Sequence, residues 1–226
     1  MHAVRISRRN RLVGDRVTRR WPAVLGAAII LSACASSTTP SAAAPAPAPG
    51  PTVPGALGGL SIDSHEQYYD IEGSSAGALR EAIHRLGPRD GSEARDALTV
   101  WTLDWAYGEA PGADGCGLRN LRVTLNVDVT LPRWAPAAGT PPRLIASWRS
   151  YLQHVKAHEA GHRAIAERNA RDLLAALAPL RAATCPAVSD AASRTAERVV
   201  ADGRARNRAY DVETNHGQTQ GVELRP

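Results

Sequence analysis

Between Leu121 and Leu131, the apolar residues Leu121, Val123, Leu125, Val127, Val129 and Leu131 alternate with Arg122, Thr124, Asn126, Asp128 and Thr130. Strict period two puts every apolar side chain on one face of an extended chain and every polar one on the other. A helix would scatter the same residues around its cylinder, so the stretch reads as a half-buried strand. Its apolar face needs a covering layer. Leu98 to Tyr107 repeats the pattern less cleanly, with Trp101, Leu103, Trp105 and Tyr107 on one face, most simply a core stripe. Tyr68-Tyr69-Asp70-Ile71 suggests a further strand.

The cover comes from helical stretches. Ser74 or Ser75 caps a helix through Arg85, stopped by Gly87-Pro88. Thr140-Pro141-Pro142 opens a long one, with proline where a first turn tolerates it, running to about Ala178 before Pro179. A second follows Cys185-Pro186, with Ser189 as its N-cap, and ends near Tyr210. The tail from Asp211 to Pro226 is polar, and no internal repeat is visible. These elements predict a single α+β domain. Its small antiparallel or mixed sheet packs on a long helix and a second, C-terminal helix.

Residues 1–33 do not belong to that domain. Arg8, Arg9, Arg11, Arg16, Arg19 and Arg20 precede an apolar run from Trp21 to Leu31, a signal-peptide pattern too short for a mature bilayer span. It ends in Leu31-Ser32-Ala33-Cys34, which resembles the bacterial lipobox and implies cleavage before Cys34 and acylation of its thiol. Ser7-Arg8-Arg9 hints at a twin-arginine signal, but Arg11 stands where those carry an aromatic, favouring the Sec route. Residues 34–59, rich in Ala, Pro and Ser, read as a tether, leaving 60–226 as the folded part. The expected location is the bacterial envelope, lipid-anchored and facing the periplasm or exterior. Ala35 and Ser36 after the lipid-bearing cysteine lean towards an outer membrane.

That division corrects the charge. The formal +5 of the chain includes seven Arg and one Asp in the leader, or +6, so the mature part carries 5 − 6 = −1. Nucleic acid is therefore not an expected partner. With Cys34 given to lipid, Cys116 and Cys185 are an even pair in a disulfide-permissive compartment.

His158-Glu159-Ala160-Gly161-His162 within the long helix is an HExxH pattern. The two histidines lie about 40° apart around the helix, in the sector that also holds Trp148, Tyr151, Val155, Ile165 and Asn169. Two imidazoles one turn apart on a buried stripe, with a carboxylate beside them, are what a zinc hydrolase needs: two nitrogen ligands and a base for water. Two satisfied core histidines are the plain alternative. His154 falls at the stripe's edge, a surface or supporting position. Glu167 points away, and Ile165 and Arg168 exclude the HExxHxxGxxH layout. A third ligand from His154 is possible but would crowd one face, and the downstream candidates are Glu197, Asp202, Asp211, Glu213 and His216.

Tyr69-Asp70-Ile71-Glu72-Gly73, Gly87-Pro88, Thr99-Val100-Trp101, Leu131-Pro132-Arg133-Trp134, Trp148, the HExxH, Cys185, and Tyr210-Asp211 followed by Thr214, His216, Gly217 and Gly221 form a longer pattern. From about Tyr68 to Leu224 the chain resembles a bacterial family of secreted zinc-dependent proteases, known as domain of unknown function 922. The resemblance implies a zincin-like domain and a peptidase. It favours His216 as third zinc ligand, with Asp211 as a ligand or as the partner of one.

The chemistry expected on this basis is peptide hydrolysis by zinc-activated water, with Zn²⁺ on His158, His162 and His216, and Glu159 as general base. Tyr210, next to Asp211, is a candidate donor to the developing oxyanion. The competing expectation is a non-catalytic envelope lipoprotein, a binding module with structural zinc or none. A zinc hydrolase of a non-peptide envelope polymer would use the same residues.

Overall fold

The computed structural model describes residues 4–7 and 59–225. Cys34, the proposed cleavage point and the body of the tether lie outside them. Along the chain come β1 (Val4–Ser7), β2 (Gly59–Ile71), α1 (Ala76–Leu86), β3 (Arg89–Asp90), β4 (Glu93–Ala94), β5 (Leu98–Gly112) and β6 (Gly115–Trp134). After them follow α2 (Pro142–Leu177), β7 (Arg181–Ala182), α3 (Cys185–Thr214) and a 3₁₀ turn, Gln218–Gln220. Among these residues no helix is long and apolar enough to cross a membrane.

The main sheet has the order β1-β5-β6-β2, with β7 on a further stretch of β6. β5 and β6 form an antiparallel hairpin, while β2 lies parallel to β6 from Gly59 opposite Arg122 to Ile71 opposite Trp134. The sheet is therefore mixed and the fold is α+β. All six apolar residues of the alternating stretch in β6 are buried, and α2 covers their face. β3 and β4 pair only with each other.

Three expectations need correction. The strand ending at Ile71 begins at Gly59, because its backbone pairs with β6 although most of its side chains are exposed and alternation is lost from Asp63 to Tyr68. Trp105 and Tyr107 are only half-buried, beyond the fully buried Trp101 and Leu103. A register shift between Ala106 and Gly108 interrupts the pleat there. Ser189 does not cap α3. Thr184 does, its hydroxyl accepting the Ala187 N–H at 3.3 Å with Pro186 in the first turn, while Ser189 donates to Glu109 at 2.9 Å.

Cys116 and Cys185 are bonded, tying the first residues of β6 to the first residue of α3 across a separation of 69 residues. In the chain-entropy picture a loop of that length is worth about 4 kcal/mol. The bond fixes one end of α3 against the sheet, and the other end carries the site.

Candidate metal centre

On α2, Trp148, Tyr151, Val155, His158, His162 and Asn169 are all buried, as their shared sector requires. Ile165, on the margin of that sector, is half-buried. The Nε2 atoms of His158 and His162 stand 3.2 Å apart. Asp211 of α3 brings Oδ1 to 3.6 Å from the first and 3.1 Å from the second. These three buried residues form a group whose ligand atoms all lie within 4.8 Å of one another.

The donor set fits a zinc ion. Ligand atoms about 2.0–2.1 Å from a tetrahedral metal lie about 3.3 Å from each other, close to all three separations. The imidazoles are also oriented for it. His158 Nδ1 lies 2.9 Å from Gln220 Oε1, and His162 Nδ1 lies 2.9 Å from Asn207 Oδ1. With those side-chain oxygens as acceptors, each Nδ1 can hold the ring proton, which would leave each Nε2 able to ligate a metal. Two lone pairs and a carboxylate oxygen converging in a buried space call for a cation. Burial lowers the His158 pKa, but the hydrogen bonds with Asp211 and Gln220 and the nearby Glu159 and Asp211 charges raise it on balance.

Close approach of α2 and α3 builds this geometry. Gly161 faces Tyr210, and a Cβ there would stand 2.7 Å from Cε1 of the ring and nearer still to Cζ and Oη. Only glycine leaves that space. The Tyr210 ring stacks on His158, with centroids 5.1 Å apart, and meets His162 edge-on at 4.9 Å. Its hydroxyl accepts from Gln220 Nε2 at 3.0 Å and lies 3.3 Å from the His158 carbonyl oxygen. Beyond Thr214 the chain hooks back through Asn215, His216 and Gly217, all at positive φ. Thr214 Oγ1 accepts the Gly217 N–H at 3.2 Å, and a Cβ at Gly217 would come within 3.0 Å of the His158 ring.

Asp211, rather than His216, takes the third place in the donor group. His216 is half exposed, with Nδ1 3.6 Å from Asp211 Oδ1. Helical register explains the difference: Asn207 and Asp211 are four residues apart and share one face of α3, whereas His216 lies past the helix end. Glu159 is buried beside the triad and accepts a hydrogen bond from Thr99 Oγ1 at 2.5 Å. A cleft of about 220 Å³ is lined by His158, Glu159, Asp211 and His216, together with Arg80 and Asp96. His154 packs by Gly221, and Glu167 pairs with Arg163 at 3.0 Å. Glu197, Asp202 and Glu213 are exposed and outside the donor group.

Three contributors had no assigned part in the sequence reading: Thr99, Asn207 and Gln220. Asn207 carried a usable signal, since its spacing to Asp211 repeats the i, i+4 spacing of the two histidines. Gln220 carried none, and Thr99 stood only as part of the family pattern.

Neither a comparison with curated proteins nor one with solved structures finds a match. The family described as bacterial protein of unknown function (DUF922) matches residues 66–217, a span that holds Thr99, the HExxH and Asp211, and the chain belongs to it.

Proposed function

We propose that the chain is a zinc-dependent metallopeptidase of zincin-like character, exported and lipid-anchored through Cys34 in the bacterial envelope. One observation carries the reading: two imidazoles, each with Nδ1 against a side-chain oxygen, and one carboxylate converge beside Glu159 in a cleft. Zinc held by His158, His162 and Asp211 would supply Lewis acidity towards water and a carbonyl oxygen.

The protein's own groups do the rest. Glu159, oriented by the Thr99 hydroxyl, takes a proton from the attacking water and returns it to the leaving amine, so that one C–O bond forms as the C–N bond breaks. Asn207 and Gln220 hold the histidine ring planes. Tyr210, committed to Gln220 and to the backbone of α2, steadies His158 and is not needed as the oxyanion donor. A purely structural site has no use for a buried base beside its donors, which disfavours the binding-module alternative.

Metal content of the purified protein is the test. Wild type should hold about one zinc per chain, lost in His162→Ala and Asp211→Ala and kept in His216→Ala. Glu159→Gln should keep the zinc and lose peptide hydrolysis. A folded wild type that takes up no added zinc would sink the enzyme reading and leave a lipid-anchored binding module.

A further inference from the structure

Two arginines share the cleft with the donor group, next to the carboxylate of Asp96. Arg80 projects from the exposed face of α1, and Arg95 follows β4. Both line the same cleft as His158 and Glu159. Each has a carboxylate partner, closer for Arg95 than for Arg80. Arg80 Nη1 lies 3.7 Å from Asp96 Oδ2, beyond hydrogen-bond length, and that oxygen already accepts the Tyr151 hydroxyl at 2.9 Å. Arg95 gives one Nη2 bond to Glu93, which is largely exposed. Its Nε is buried and meets no acceptor among the described residues.

Arg80 keeps 48% of its side chain exposed and Arg95 20%, so a ligand in the cleft can reach a guanidinium of each. A guanidinium is a planar fork of donors, matched in shape and charge by a carboxylate. Ala94, Ala97, Val155 and Val222 add apolar surface to the lining beside the two arginines. We infer that Arg80 and Arg95 form a carboxylate-recognition subsite beside the metal donors, and that the substrates are peptides carrying a carboxylate next to the scissile bond. That carboxylate is either the chain's own C-terminus or an Asp or Glu side chain. The inference rests on the peptidase reading and adds the substrate class to it.

Calorimetric binding to Glu159→Gln protein, which keeps the cleft and removes the base, tests it with three peptides. They are acetyl-tetra-alanine as the free acid, the same peptide as its C-terminal amide, and the amide carrying one glutamate. The free acid binding at least about tenfold tighter than the neutral amide identifies a C-terminal carboxylate, and the glutamate peptide doing so identifies a side chain. Adding Arg95→Gln or Arg80→Gln should erase the preference and leave binding of the neutral amide unchanged, while Arg95→Lys should restore part of it. Equal binding of all three peptides, no binding of any, or a preference that survives both glutamine variants would overturn the subsite.

Turnover by the wild-type protein separates this from the parent reading. An arginine-dependent preference without cleavage keeps the subsite and removes the peptidase. Cleavage without charge preference does the reverse.

Discussion

Replacing Gly161 with alanine sets two effects of known size against each other. Helix propensity favours Ala over Gly by about 0.8–1.0 kcal/mol in a helix interior, and Gly161 lies well inside α2. Packing opposes it. The new Cβ would stand 2.7 Å from Tyr210 Cε1, where ordinary contact begins at 3.4 Å. The ring has little freedom to yield, being stacked on His158 and bonded to Gln220. Overpacking of this kind costs about 1–3 kcal/mol, so the net effect should be a loss of about 0–2 kcal/mol. Zinc affinity should fall as well, because displacing Tyr210 tilts the imidazole stacked on it. In a Tyr210→Ala background the clash is gone, and Gly161→Ala should stabilise by up to about 1 kcal/mol. Urea denaturation of the four proteins, with chelator and then with zinc, measures the cycle. If Gly161→Ala stabilises the wild-type and the Tyr210→Ala protein equally, the close approach of α2 and α3 is not what glycine serves here.

Thr99→Val keeps the side-chain shape and removes the donor to Glu159, so denaturation should show a loss of about 1.5–3 kcal/mol and peptide hydrolysis should drop, with Thr99→Ser recovering both. Burial, and then Asp96, hold the Tyr151 phenol well above its ordinary 10.0, and the same two causes raise Tyr69. The unfolded chain then loses these protons first as pH rises, so stability is intact below about pH 10 and declines above it. Tyr151→Phe should flatten that decline in alkaline denaturation curves, and an unchanged slope would remove Tyr151 as its source. Reducing Cys116–Cys185, or replacing both by serine, should cost about 4 kcal/mol, read as a lower urea midpoint, and an unmoved midpoint would refute the loop argument.

What the sequence made legible follows the range of the physics involved. β6, α1 and α2 were readable because alternation, a capping serine and a proline pair act over a few residues. β2 was readable only at its Ile71 end, since its parallel pairing with β6 is a backbone property that exposed side chains do not record. Ser189 was a reasonable cap by residue type, but Thr184 sits before Cys185-Pro186, and proline in the first turn let the helix start earlier. Two donors of the site, His158 and His162, were visible because one helix positions both. The third was not settled by sequence, because choosing Asp211 over His216 needs the crossing of α2 and α3 and the exact turn at which α3 ends.

That crossing makes the candidate metal site a property of two helices held at three places. The disulfide anchors the start of α3 to the hairpin, Gly161 lets Tyr210 lie against α2, and the left-handed hook after Thr214 brings Gly217 and Gln220 back onto His158. α2 contributes the two imidazoles and Glu159, whereas α3 and the hook contribute Asp211 and the side-chain oxygens that meet the two Nδ1 atoms. Neither helix alone presents a site with three donors. Zinc should therefore bind only when α3 is docked, and bound zinc should in turn hold α3 down, because an ion that prefers the docked state stabilises it in proportion to its excess over the dissociation constant. Hydrogen exchange should accordingly slow across Asn207 to Thr214 when zinc is added to the reduced protein, where the disulfide no longer shares the task. Equal exchange with and without zinc would mean that the donors are held by the fold alone.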